Sequence, residues 1–118
     1  MKIKVYYLDD EVDLLEAFKE IFEDTQIEIS TFSDPQRALA EVSANPPDLL
    51  FLDHRLPNIT GDEIALKLDP MIPKALITGD LEVICRAKFV AHFSKPYNIP
   101  EIQEFIFSYV NQKKSVNL

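Results

Sequence analysis

The chain has a single cysteine, Cys85, among its 118 residues, so no internal disulfide is open to it. It also lacks a run of about 20 apolar residues and the apolar core of an export signal, which argues against a membrane span or a secretory leader. Both absences point to a cytoplasmic protein. Positive charge is scarce as well: 12 Lys and Arg against 20 Asp and Glu leave a net charge of −8 and a pI near 4.6. A surface of that sign is repelled by nucleic acid and by anionic lipid. A metal ion or a basic partner suits it better.

What is present is enough for one folded unit. Apolar residues make up 47% and charged residues 27%, the balance of a globular chain that can bury one core. No repeat or low-complexity linker divides it, so 1–118 reads as a single domain with 114–118 a short tail. Ile3 to Leu8 is apolar, aromatic and β-branched and stops at Asp9-Asp10-Glu11, the pattern of a buried strand running into an acidic loop. From Val12 to Glu23, Leu14, Leu15, Phe18, Ile21 and Phe22 recur at helical spacing. A second strand spans Ile27 to Phe32. Ser33-Asp34-Pro35 starts a helix, with a capping side chain ahead of proline, and Asn45-Pro46-Pro47 ends it near Ala44.

The nearly continuous apolar run Asp48 to Asp53 suits a central strand covered on both faces. After a turn through Pro57 to Gly61 the pattern predicts a short helix over Asp62 to Leu68, a strand over Lys74 to Thr78 and a helix over Asp80 to Phe89. A fifth strand over Val90 to Ser94 and a helix from an Asn98 cap to about Lys113 complete the chain. Cys85 falls in the Asp80–Phe89 element, where a free thiol acts as a small hydrophobe. Strand and helix thus alternate five times, which implies an α/β fold with a parallel sheet and helices on both faces.

In such sheets ligands gather at the carboxyl ends of the strands. Asp9-Asp10, Asp53, Thr78 and Lys95 all fall there. Converging carboxylates need neutralising: at an effective dielectric of about 20, two charges about 4 Å apart repel by roughly 4 kcal/mol. Either one carboxyl stays protonated or a cation binds, and hard oxygen ligands with room for water favour Mg2+. Alternatively, Asp9, Asp10 and Glu11 serve only to favour the next helix start. Lys95 and Thr78 likewise have plain readings, a solvated charge and a strand-end or capping residue.

In order, spacing and strand-end placement these residues resemble the receiver domain of two-component response regulators. Asp9-Asp10, the run Asp53-His54-Arg55-Leu56-Pro57-Asn58-Ile59-Thr60-Gly61, Thr78 and Lys95-Pro96 carry the likeness, which extends from Lys2 to about Lys113. It implies a (βα)5 doubly wound sheet with the flavodoxin-like strand order 2-1-3-4-5. It further implies that Asp53 accepts a phosphoryl group from a sensor histidine kinase or a histidine phosphotransfer protein. Mg2+ would be held by Asp10, Asp53 and the main-chain carbonyl of Arg55, with Asp9 acting largely through water. Lys95 would contact the phosphoryl oxygens, Thr78 would move to meet them, and the Lys95–Pro96 peptide would be cis. The outcome is a signalling protein, not an enzyme beyond its own phosphoryl transfer and slow autodephosphorylation, which switches a surface for a downstream protein as a monomer or weak dimer.

Several positions depart from that pattern. His92 replaces the usual switch aromatic, so it is either a partly exposed strand histidine or a rotamer switch that can gain charge near neutral pH. The stretch from Thr78 to Lys95 is short by about one helical turn, which implies a shortened or displaced fourth helix. Arg55 and Asp80 flank the pocket, either as independent solvated side chains or as a pair closing over it, and Gly79 opens space beside Thr78. Phe107 lies off the apolar stripe of the last helix. Two other functions compete: a receiver-like adaptor that is never phosphorylated, and a phosphatase of the haloacid dehalogenase type. The second needs an Asp-x-Asp run with threonine after the first strand, which Asp9-Asp10-Glu11-Val12-Asp13 does not supply.

Overall fold

The nearly continuous apolar run that ends at Asp53 becomes the middle strand of a parallel sheet. In the computed structural model, which describes residues 2–80 and 82–116 with 112–116 in backbone only, the elements are β1 (Ile3–Leu8), α1 (Val12–Ile21), β2 (Ile27–Phe32), α2 (Pro35–Ala44), β3 (Leu49–Asp53), β4 (Arg55–Leu56), β5 (Ile59–Thr60), α3 (Gly61–Leu66), β6 (Lys74–Thr78), β7 (Ala91–Ser94) and α4 (Ile99–Val116). Five parallel strands run in the order β2-β1-β3-β6-β7, which is 2-1-3-4-5 for the main strands in chain order. Every residue of β3 and β6, next to one another at the sheet's middle, is buried.

Side-chain alternation sends the two faces of each strand into different cores. Val5, Tyr7, Phe51 and Ile77 meet Leu15 and Phe18 of α1 and Ile102 and Ile106 of α4. Tyr6, Leu8, Leu50, Leu52 and Leu76 meet Ala38 and Val42 of α2 and Ile64 and Ala65 of α3. Local caps set the helix starts. The Asp34 side chain accepts from the Gln36 N–H with Pro35 at the first helical position, and Asn98 Oδ1 accepts from the Glu101 N–H. Between β4 and β5, Pro57 and Asn58 form a two-residue turn in which Asn58 takes φ 66°, the conformation that asparagine tolerates best after glycine.

The expected helix over Asp80 to Phe89 does not form. Residues 82–90 are an irregular, extended segment in which Val83, Cys85, Ala87 and Phe89 turn to the α2/α3 core while Glu82, Ile84, Arg86, Lys88 and Val90 face outward. That is a period of two, which a helix cannot satisfy. The segment's N–H groups find another acceptor: Arg86 and Ala87 donate to the carboxylate of Asp62, with distances of 2.8–3.1 Å. The helices therefore number four among the described residues, and the fourth-helix face is a coil. α4 runs past the expected end at Lys113 to Val116, and residues 117–118 of the expected tail lie outside the described residues. No helix among the described residues is long and apolar enough to cross a membrane.

Candidate functional site

Four strand ends bring the site together. Asp9 follows β1 and its N–H donates to the Phe32 carbonyl, which fixes the backbone at the sheet edge of the loop. Asp53 is the last residue of β3 and only 3% exposed. Thr78 closes β6, and its carbonyl accepts from the Lys95 N–H just beyond β7 at 2.9 Å. The Lys95–Pro96 peptide is cis. Lys95 Nζ lies 2.9 Å from Asp9 Oδ2, 3.3 Å from Asp53 Oδ1 and 3.7 Å from Glu11 Oε2.

One carboxylate oxygen each from Asp9, Asp10 and Asp53 fall within 4.8 Å of one another, with Asp9 and Asp53 buried and Asp10 exposed. The N-cap residue of α1, Glu11, makes no side-chain capping bond, and its N–H donates to Asp9 Oδ1 at 2.9 Å. Burial, and then the Asp9 charge, push the Asp53 carboxyl up to about 6 against the opposing pull of Lys95. Asp9 and Asp53 in turn hold Lys95 above its ordinary value although burial pulls it down. One ammonium shared by buried acids leaves negative charge uncompensated. An all-oxygen donor set with one member open to water fits a hard divalent cation such as Mg2+.

On the rim, Arg55 Nε donates to Asp80 Oδ2 at 2.9 Å and Nη2 lies 2.8 Å from Oδ1, a two-pronged pair. Asp80 also closes on Thr78: its N–H donates to Thr78 Oγ1 at 3.0 Å, and that hydroxyl donates to Oδ2 at 3.4 Å. A Cβ on Gly79 would meet nothing nearer than Lys95 Cβ at 3.9 Å, so space beside Thr78 is open. His92 lies apart from the acids. It is exposed on β7 and packs edge-on against Phe89, with ring centroids 5.7 Å apart. Phe107 is 39% exposed on α4.

Three further residues support the site, and of these only Gly61 belongs to the run that carries the family likeness. Tyr7, fully buried, donates its hydroxyl to Asp9 Oδ2 at 2.7 Å. A Cβ on Gly61 would stand 2.5 Å from the Asp53 carbonyl oxygen, so only glycine lets α3 begin against the end of β3. Asp62, 7% exposed, anchors the extended segment. In the sequence Tyr7 is one more aromatic in an apolar strand, and Asp62 is an ordinary first-turn acid.

The family model described as response regulator receiver domain matches residues 5–107. The chain is 28% identical over 123 residues to sporulation initiation phosphotransferase F of Bacillus subtilis, an alignment covering 98% of this chain and 99% of that protein. It is 33% identical over 78 residues to the C4-dicarboxylate transport transcriptional regulatory protein DctD of Rhizobium meliloti, covering 64% of this chain but 17% of that much longer protein. In fold it is similar to a CheY-like receiver domain protein of Methanospirillum hungatei, with TM-score 0.87 and 23% identity over 98% of each chain. A chain with this sheet order, this gathering of strand-end residues and a family match over most of its length belongs to the response regulator receiver domains of two-component systems.

Proposed function

We propose that Asp53 accepts a phosphoryl group from a phosphohistidine on a sensor kinase or a histidine phosphotransfer protein, and that the change is relayed to a downstream protein. The observation that carries this reading is the buried Asp53 carboxylate in contact with Lys95 beside Asp9 and Asp10. An Asp53 carboxylate oxygen forms the new P–O bond as the P–N bond to the imidazole breaks, and the departing imidazole keeps the bonding pair. The transferring group is loose and rich in charge, so placement and neutralisation supply most of the catalysis. Asp10, Asp53 and the Arg55 main-chain carbonyl would hold Mg2+, with Asp9 acting through water. The ion, when bound, supplies the positive charge that this cluster lacks. Lys95 holds a phosphoryl oxygen as a point charge, trading its contact with Asp53 for one with the new group.

The Thr78 hydroxyl, now engaged with Asp80, turns to the phosphoryl oxygens. The Arg55–Asp80 pair, joined to Thr78 through Asp80, slows attacking water, while Gly79 leaves room for the phosphodonor. Arg55→Ala and Asp80→Ala are each expected to speed dephosphorylation; an unchanged rate in both removes the gate. His92, set against Phe89, couples the threonine to the outer surface. If phosphorylation-dependent partner binding is unchanged in His92→Ala, that role is lost. We place the protein in the cytoplasm, where its single thiol stays reduced.

Intact-mass measurement after treatment with a small acyl phosphate and Mg2+ tests the main reading. Wild type is expected to gain one phosphoryl group and Asp53→Asn none. A wild type that gains none would leave an adaptor that works without phosphorylation.

A further inference from the structure

Two adjacent tyrosines of β1 spend their hydroxyls very differently. Tyr6 points to the α2/α3 face and donates to the Asn45 carbonyl at 2.7 Å, which ties the strand to the end of α2. Tyr7 points to the opposite face and donates, also at 2.7 Å, to Asp9 Oδ2. The same oxygen faces Lys95 Nζ at 2.9 Å, while Oδ1 accepts the Glu11 N–H at 2.9 Å. Asp9 is therefore a fully buried carboxylate with three donors, of which Tyr7 is the one rooted in the core.

The phenol itself has little freedom. Its ring stands edge-on to Phe18, Phe51 and Tyr97, with centroids 4.8, 6.3 and 6.4 Å away. Lys95 is a long, flexible side chain, and Glu11 lies in the loop before α1. A carboxylate held by those two alone would turn with them. We infer that Tyr7 is a positioning residue for the acidic cleft: its hydroxyl fixes the plane of Asp9 and thereby sets how tightly Asp9, Asp10 and Asp53 bind a divalent cation. This deepens the reading of the cleft as a cation site and rests on it. Groups behind a ligand carboxylate or its neighbour, although they never touch the ion, commonly govern affinity by about ten-fold or more.

The test is a Mg2+ titration of the unphosphorylated protein, followed by the backbone amide resonances of Asp10 and Asp53. Tyr7→Phe is expected to weaken binding about ten-fold. Tyr6→Phe removes the same hydroxyl chemistry from the other face and is expected to bind Mg2+ as wild type does, although it too loses a hydrogen bond. In an Asp9→Asn background, Tyr7→Phe is expected to have no further effect, which places the action of Tyr7 on Asp9. Affinity of Tyr7→Phe within two-fold of wild type overturns the inference, as does equal weakening in Tyr6→Phe. Should Tyr7→Phe fail to fold, wild type still decides. The Tyr7 hydroxyl proton is expected to exchange slowly and to stay protected as Mg2+ saturates, and its loss on Mg2+ addition overturns the inference. A wild type whose resonances do not respond to Mg2+ overturns the cation site as well, whereas a responding wild type matched by Tyr7→Phe overturns the role of Tyr7 alone.

Discussion

The two faces of the sheet are closed by different means. On one, α1 and α4 bring Phe18, Ile102 and Ile106 fully out of water against Tyr7 and Phe51. On the other, α2 and α3 cover the left and centre, and beyond them an extended segment lays half-buried Val83, Cys85, Ala87 and Phe89 on the core. A helix satisfies its own backbone and can be sealed by side chains alone, whereas an extended segment must find acceptors elsewhere. Here Asp62 takes the Arg86 and Ala87 N–H groups and the Lys74 carbonyl takes that of Val90, so a few contacts carry an anchoring task that a helix would have spread over many bonds.

The contrast can be broken at its extremes. Phe18→Ala, on the sealed face, is expected to destabilise the domain by about 3–5 kcal/mol. Phe89→Ala is expected to cost only about 1–2 kcal/mol, because Phe89 is only partly buried. Urea unfolding of the two variants measures the difference, and equal losses would show that the segment is packed as tightly as a helix. Next in size is Asp62→Ala, expected to cost about 2–3 kcal/mol by stranding the Arg86 and Ala87 N–H groups. Hydrogen exchange should locate the loss, with those two amides losing protection before the strands do.

The smallest effect belongs to the cleft and has the opposite sign. Asp53 has a folded-state value of about 6 against an ordinary 3.8, so its contribution to stability is complete below about pH 4 and is lost as pH rises through 6. Without Mg2+, Asp53→Asn is expected to be more stable than wild type at pH 7 by about 1–2 kcal/mol after allowance for solvent screening. The gap should close between pH 6 and pH 4, and Mg2+ should narrow it at pH 7 by stabilising wild type alone. Denaturant midpoints across that range give the answer.

What could be read in the sequence follows the same division. β1, β2, α2 and β6 are bounded by local chemistry: a sharp change from apolar to acidic residues, an Asp34-Pro35 start, a prolyl stop. The strand-end residues Asp9, Asp53, Thr78 and Lys95 could be placed for that reason, because a strand's last residue names its own position. The segment 80–90 could not. Its apolar residues satisfy a period of two or a helical face equally well over so short a run, and the partner that decides, Asp62, lies 24 residues upstream. Tyr7 was hidden for a related reason. Two tyrosines in a buried strand look alike until the faces are known, and only one of them reaches Asp9.

Gly61 ties these regions together. With no room for a methyl group between it and the Asp53 carbonyl, and with its N–H donating to the His54 carbonyl at 2.9 Å, the start of α3 rides on the end of β3. The next residue is Asp62, whose carboxylate grips Arg86 and Ala87. The end of β3 at Asp53 is thus joined to the outer segment through two consecutive residues and no flexible side chain longer than an aspartate. A receiver without its usual fourth helix has in this short lever a route from the cleft to its surface.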